Sequence, residues 1–234
     1  MNTILSAGGL NTYYGRSHIL FDMGLEVRQG ETVCLVGRNG AGKTTTFRSL
    51  MNLSPPKSGR VEFLGRNCSG LPPYRMARLG LGFVPEDRRI LGPFTVRENL
   101  EMGVIAERKG RWNLKTVLEC FPTLARMLER MGGSLSGGEQ QMLTIGRALM
   151  GNPEVLILDE PTEGLSPVIV GELKELVLRL KREGTTILLS EQNIRFALAV
   201  SDRVAVMDKG RSVYTGTVEA FRSDEAVQSR YLAV

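Results

Sequence analysis

Eight consecutive residues set the first chemical constraint. Gly37-Arg38-Asn39-Gly40-Ala41-Gly42-Lys43-Thr44 fits the pattern G-x-x-x-x-G-K-[ST]. In such a loop the glycines let the backbone curl until its N–H groups converge on phosphate oxygens. The start of the following helix adds partial positive charge. The lysine reaches the outer phosphates, and the hydroxyl of Thr44 can hold Mg²⁺. That chemistry binds a nucleoside triphosphate but does not by itself cleave it. Cleavage needs a second metal ligand and a group that orients water. Val155-Leu156-Ile157-Leu158-Asp159-Glu160 supplies both. Four apolar residues place two carboxylates at the C-terminal end of a buried strand, the edge at which parallel sheets bind ligands. Asp159 would hold Mg²⁺, and Glu160 would polarise the attacking water.

A third constellation is Leu135-Ser136-Gly137-Gly138-Glu139-Gln140. Ser136 followed three residues later by Glu139 is a capping box, so a helix should begin here. Gly137 and Gly138 leave the N–H groups of its first turn bare, as an anion-binding helix start requires.

These residues need a frame to position them. Residues 32–36 form a short apolar run ahead of the glycine-rich loop, and 44–53 read as the helix after it. Further strands are expected at 25–28, 81–84, 155–158, 185–189, 204–207 and 212–214, with helices at 168–183 and 194–200. Such alternation argues for a parallel α/β sheet. The stretch 95–150 is helical in pattern, with breaks at Gly110, Pro122 and Gly132-Gly133.

Composition narrows the remaining choices. The net charge is +5 and the pI about 9.3, but the basic residues are scattered, so no nucleic-acid arm is expected. The cysteines, Cys34, Cys68 and Cys120, lack metal-ligand spacing and read as reduced thiols. His18 is the single histidine, which excludes a His-rich metal site. No apolar run reaches the roughly 18–20 residues of a membrane span, and the opening residues do not read as a secretory leader. A role at a membrane would therefore use other chains for the membrane part.

The order of the motifs, with the phosphate loop at 37–44, LSGGEQ at 135–140 and ILDEP at 157–161, resembles the ATP-binding-cassette (ABC) ATPases over nearly the whole chain. The resemblance implies an α/β fold in one domain, 1–234. A P-loop NTPase core with a mixed sheet and an N-terminal antiparallel β subdomain would occupy 1–94 and 151–234, and a helical signature subdomain about 95–150. It implies that ATP lies against Gly37, Arg38, Asn39, Gly40, Ala41, Gly42, Lys43, Thr44 and Thr45. Tyr14, 23 residues before Gly37, would stack on adenine, with Tyr13 as its competitor. Thr44 and Asp159 would hold Mg²⁺. Two cassettes would pack head to tail, so that Leu135, Ser136, Gly137, Gly138 and Glu139 serve the ATP of the partner.

Three positions depart from the family pattern. Glu86 stands where a glutamine is usual, Gln192 where a histidine is usual, and Ser166 where an aspartate is usual. Glu86 would still contact the nucleotide site through metal or water. Gln192 can donate from its amide but cannot carry a positive charge; with Glu160 and Lys43 it completes the expected catalytic set. The strings at 13–20, 84–89, 163–167 and 191–193 resemble one subfamily, the second ATPase of bacterial branched-chain amino-acid uptake systems. That implies two membrane permeases, a second cassette (a heterodimer in the complex, with a homodimer possible in isolation) and a soluble binding protein acting indirectly. The chain would be cytoplasmic and peripheral on the inner face of the cell membrane. Its permease contact would fall at roughly 86–112, where Leu91, Phe94 and Trp112 lie among arginines. Urea and amide importers carry similar strings. Two other classes stand as alternatives: a soluble cassette ATPase acting on DNA or ribosomes, and a nucleotide-gated module without useful hydrolysis.

Overall fold

The computed structural model describes residues 2–232. Two sheets organise it. The first is antiparallel and has four strands, β1 (Thr3–Tyr14), β2 (Ser17–Arg28), β4 (Ser58–Phe63) and β5 (Arg66–Asn67), in the order β2-β1-β4-β5. Its inner face, with Leu5, Leu10, Leu20, Met23, Val27, Val61 and Phe63, is buried.

The second sheet has six strands. β3 (Thr32–Val36), β6 (Leu81–Val84), β7 (Val155–Asp159), β8 (Thr186–Glu191), β9 (Arg203–Asp208) and β10 (Arg211–Thr217) run in the order β10-β9-β3-β8-β7-β6. All neighbours are parallel except the hairpin β9-β10, so the sheet is mixed. Every residue of β3, β7 and β8 is buried, which is why these strands read as continuous apolar runs rather than alternating ones. Their parallel direction has a direct consequence. The loops that follow β3, β6, β7 and β8 all emerge at one edge, bringing residues 37–42, Glu86, Glu160 and Gln192 to the same side.

Helices pack on both sheets. α1 (Lys43–Leu50) lies beneath β1, where the hydroxyls of Thr12 and Ser49 meet at 2.8 Å inside the core. α2 (Pro73–Leu79) precedes β6. α3 (Val96–Glu101), α4 (Leu114–Cys120), α5 (Pro122–Ala125) and α6 (Gly137–Met150) follow it. α7 (Pro167–Arg182) and α8 (Ile194–Val200) flank β8, and α9 (Val218–Ser223) and α10 (Glu225–Leu232) close the chain. The apolar faces of α6 and α7 share one core with β3, β7 and β8, through Leu143, Ile145, Leu149, Leu173, Val177 and Leu158.

The helical pattern expected across 95–150 is interrupted more than its glycines foretold. Residues 102–113 are mostly loop. The Arg108 guanidinium pins this loop by donating to the carbonyls of Leu79 (2.9 Å) and Asn152 (2.7 Å). The Asn152 side chain bonds both the N–H and the carbonyl of Trp112. Bonds to distant backbone thus replace the helical ladder here. Trp112 belongs to the buried core rather than to the surface patch anticipated at 86–112, whereas Phe94 is exposed.

Candidate nucleotide and hydrolysis site

The site begins at the end of β3. The chain turns through residues 37–42 and enters α1 at Lys43, with Gly42 as N-cap at φ 106°, a left-handed conformation that glycine adopts without strain. Gly37 is fixed by proximity instead. A Cβ there would stand 2.4 Å from the carbonyl oxygen of Met207 on β9, so any side chain would force the loop off the sheet. The Ala41 carbonyl oxygen accepts from Gly210 N–H at 2.9 Å. The loop is therefore held from beneath by backbone.

Lys43 is 3% exposed, and its Nζ donates to the carbonyls of Gly37 (2.7 Å) and Arg38 (3.2 Å). The same ammonium lies 3.1 Å from Glu160 Oε1. The other carboxylate oxygen of Glu160 accepts from the Gln192 amide. Strand β8 lies between β3 and β7, so Lys43 and Glu160 meet above the end of β8, and Gln192 rises from that strand to join them. Glu160 has φ 44°, a left-handed backbone in a non-glycine residue. Such strain persists only where neighbours hold it; here Glu160 N–H is bound by Ser190 Oγ at 2.9 Å.

Asp159 sits one step earlier, fully buried at the end of β7. Its Oδ1 accepts from Ser190 Oγ (2.7 Å) and Thr44 Oγ1 (3.2 Å), while its Oδ2 is buried without a hydrogen-bond partner. Burial raises its pKa from 3.8 to about 6, against the two hydroxyl bonds, with Glu160 and Glu86 adding repulsion. An orphaned carboxylate oxygen beside a threonine hydroxyl, both hard oxygen donors, fits a hard cation such as Mg²⁺. Among the described residues no cluster of three His, Cys, Asp or Glu side chains makes a self-contained metal site.

No sequence motif singles out Glu191, yet it is buried beside the site. Its carboxylate accepts from Thr162 N–H (3.1 Å), Thr162 Oγ1 (3.0 Å) and Asn193 N–H (3.2 Å), latching the loop after β7 to the loop after β8. Burial pushes its pKa up to about 7 despite these bonds. Ser190, which bridges Asp159 and Glu160, was likewise not singled out. A polar pair ending an apolar strand beside the strand of Asp159 was the available signal, but only the register Asp159↔Ser190 makes it legible.

The remaining positions divide in two. Tyr14 ends β1 and is 45% exposed, while Tyr13 turns to the opposite face. One face of Tyr13 stacks on His18 at 4.1 Å between centroids, and the Lys57 ammonium stands 4.8 Å from its ring. Thr45 is buried in α1, and Glu86 is exposed near Asp159 and Glu163, raising the pKa of both. Leu135, Ser136, Gly137, Gly138 and Glu139 lie apart. No hydrogen bond or ion pair among the described residues joins them to Lys43, Thr44, Asp159 or Glu160. Ser136 caps α6, with its N–H donating to Glu139 Oε2 at 2.7 Å and Glu139 N–H donating back to Ser136 Oγ. A Cβ on Gly138 would press on Ile169 of α7 at 2.9 Å, so this glycine lets α6 start against α7.

Residues 20–163, more than half of the chain, match the model of the family described as ABC transporter. The chain is 42% identical over 231 residues to BraG, a high-affinity branched-chain amino acid transport ATP-binding protein of Pseudomonas aeruginosa, covering 98% of this chain and 99% of that one. It is 35% identical to LptB, the lipopolysaccharide export system ATP-binding protein of Haemophilus influenzae, covering 98% and 97%. The fold superposes on a nucleotide-free ATP-binding cassette from an ABC transporter with a TM-score of 0.83, 26% identity and 97% of each chain covered.

Proposed function

This chain belongs to the ABC transporter family as an ATP-hydrolysing subunit, and from that premise we propose that it drives an importer of branched-chain amino acids. The observation that supports hydrolysis is the convergence of Lys43, Glu160 and Gln192 beside Asp159 and Thr44 at one sheet edge.

In this reading ATP lies along residues 37–45, with its adenine on the open ring of Tyr14. The β- and γ-phosphates take Lys43 away from Glu160, and the freed carboxylate turns to the attacking water. Gln192 donates its amide to that carboxylate and to the γ-phosphate, as its N–H₂ allows. Asp159 and Thr44 would hold Mg²⁺, which supplies positive charge against the developing charge on the phosphates. Positioning and electrostatics carry such a transfer, and the burial of these groups strengthens both.

Ser136, Gly137 and Gly138 at the start of α6 grip the γ-phosphate of a partner cassette, so ATP joins two cassettes and hydrolysis releases them. Residues 95–150 move as the helical subdomain that carries this signature. The permease contact is a groove of about 380 Å³ lined by Phe83, Met102, Gly103, Ile105 and Arg147, which overlaps the stretch 86–112. Met102 on its rim is 64% exposed and Val104 beside it 54%, an apolar pair open to a partner. No described helix is long and apolar enough to cross a membrane, so the membrane path belongs to other chains. We place the chain on the inner membrane face, with two permeases, a second cassette and a soluble binding protein.

The identity to BraG supports branched-chain amino acids as the solute. The likeness to LptB favours a second reading, a cassette of lipid export. One experiment separates them. The chain is reconstituted with candidate permeases, and phosphate release is measured with a binding protein loaded with leucine, isoleucine or valine. Stimulation by the loaded binding protein is expected. Stimulation by lipopolysaccharide instead would overturn the importer reading.

A further inference from the structure

Arg88 stands where three segments meet. It lies two residues after Glu86, in the loop between β6 and α3. Arg88 and Arg89 have φ 58° and 46°, two successive left-handed residues that are not glycine. Side chains of α6 hold this turn. Arg88 carbonyl accepts from Thr144 Oγ1 (2.9 Å) and Arg147 Nη2 (3.2 Å), and Arg89 carbonyl accepts from the same Nη2 at 2.7 Å. Arg147 is itself desolvated, with its pKa lowered by burial, so it is committed to these carbonyls rather than to solvent.

Held in this way, the Arg88 side chain points back across the start of α6. Its Nε donates to Gln141 Oε1 (3.2 Å), one turn into α6, and its Nη2 donates to Glu163 carbonyl (3.1 Å), in the loop that follows Glu160. A Cβ on Gly137 would lie 3.0 Å from Arg88 Nη1, so the guanidinium rests on the first turn of the signature helix. Among the described residues its charge has no carboxylate within ion-pair distance; both acceptors are neutral. This half-buried cation is not placed here to make a salt bridge. Its planar fork is used to fix two acceptors at a set separation.

We propose that Arg88 is a positioning residue that locks the start of the signature helix to the loop after Glu160, so that the partner-facing and ATP-cleaving halves of the chain move as one. This rests on the function proposed above. Glu86 travels with the same turn, so all three segments are tied through one side chain. Lysine cannot replace it, because a single ammonium on a flexible stem does not span Gln141 and Glu163 in a fixed geometry.

The test uses the full chain with Arg88→Ala and Arg88→Lys, each alone and combined with Glu160→Gln to trap bound ATP. Three quantities are read: the affinity for a fluorescent ATP analogue at dilution, ATP-driven dimerisation alone or mixed with the second cassette, and the Hill coefficient of hydrolysis. Analogue affinity should stay within about twofold, because no group of the phosphate loop is touched. Dimerisation should weaken by about tenfold or more, the Hill coefficient should fall towards one, and Arg88→Lys should behave as Arg88→Ala. Gln141→Leu, which removes one acceptor from an amide whose Nε2 is already buried without a partner, should weaken dimerisation by a smaller factor and guards against misfolding of the arginine variants. Unchanged dimerisation in Arg88→Ala, full rescue by lysine, or equal loss of analogue affinity would overturn the proposal. If the Glu160→Gln parent neither binds nor dimerises with ATP, the functional reading fails and takes this inference with it. If the parent dimerises and Arg88→Ala does so equally, only the inference falls.

Discussion

The resting contact between Lys43 and Glu160 makes an unusual demand on a single substitution. Glu160→Gln should slow hydrolysis and at the same time tighten ATP binding. Lys43 Nζ lies 3.1 Å from Glu160 Oε1, with the two residues 3% and 9% exposed. A triphosphate must break this pair before it can recruit the ammonium. Removing one partner of a buried pair costs roughly 3–5 kcal/mol when nothing replaces it. Here the amide oxygen of glutamine still accepts from Lys43, and the carbonyls of Gly37 and Arg38 remain, so the loss to the empty protein is smaller. A hydrogen bond to a charged group contributes about 1.5–3 kcal/mol, and the difference between carboxylate and amide acceptors is a part of that, about 1 kcal/mol. The same amount returns as ATP affinity, about fivefold, since ATP no longer competes with a negative partner. The variant also removes a like charge from beside the γ-phosphate, which acts in the same direction. Turnover should fall by on the order of 10²-fold or more, the loss typical of a group that positions or activates water. Equilibrium binding of Mg–ATP and single-turnover phosphate release read the two effects separately. Weaker ATP binding in Glu160→Gln would refute the idea that the resting ion pair opposes nucleotide, and full turnover would remove Glu160 from the chemistry.

Other outcomes follow from the same geometry. Lys43→Ala should weaken ATP binding by roughly 10- to 100-fold, the equivalent of one or two charge-assisted bonds, as read by isothermal titration. Gln192→Ala should leave binding within a few-fold and lower single-turnover hydrolysis by on the order of 10-fold, whereas Gln192→His should retain most of it, because either side chain can donate an N–H to Glu160. Tyr14→Ala should raise the KM for ATP by about 5- to 100-fold, in line with a lost stacking contact of about 1–3 kcal/mol, and Tyr13→Ala by much less. The protein should lose thermal stability as pH rises. Glu191 has its pKa raised from 4.5 to about 7, so the folded state holds the proton more tightly than the unfolded state. The stabilisation is complete below about 4.5 and is lost as pH rises through about 7, a swing on the order of 3 kcal/mol. Glu160 and the buried Cys34 are the ionisable groups that interact with it. Melting temperatures between pH 5 and 8 should slope less steeply in Glu191→Gln, whatever its absolute stability; an unchanged slope would refute this assignment.

What the amino-acid order determined by itself is local. A glycine-rich turn after an apolar run, a serine followed three residues on by a glutamate, and two carboxylates closing a strand each follow from contacts within about eight residues. Strand β3 and its helix α1 appear where those rules put them, and the capping box of Ser136 and Glu139 forms with both of its hydrogen bonds. The ends of elements were less legible. β2 begins well before residue 25 and α1 stops before 53, because sheet pairing and packing decide where regular structure ends. The path of residues 102–113 was not legible at all, since Arg108 and Asn152 hold it through partners more than 25 residues away.

Tertiary structure alone decided which side chains meet. The order β9-β3-β8-β7 brings Lys43 and Gln192 to the two carboxylate oxygens of Glu160, and no spacing along the chain encodes that order. It makes Ser190 the bridge from Asp159 to Glu160, and Glu191 the latch between two loops. It also carries Arg88 to Gln141 and Glu163, residues 53 and 75 positions away. Local signals arise from backbone geometry and the burial of near neighbours, which the sequence writes directly. Contacts across a sheet edge depend on how the whole core packs, and burial then fixes their energies by stripping away the water that would otherwise screen them.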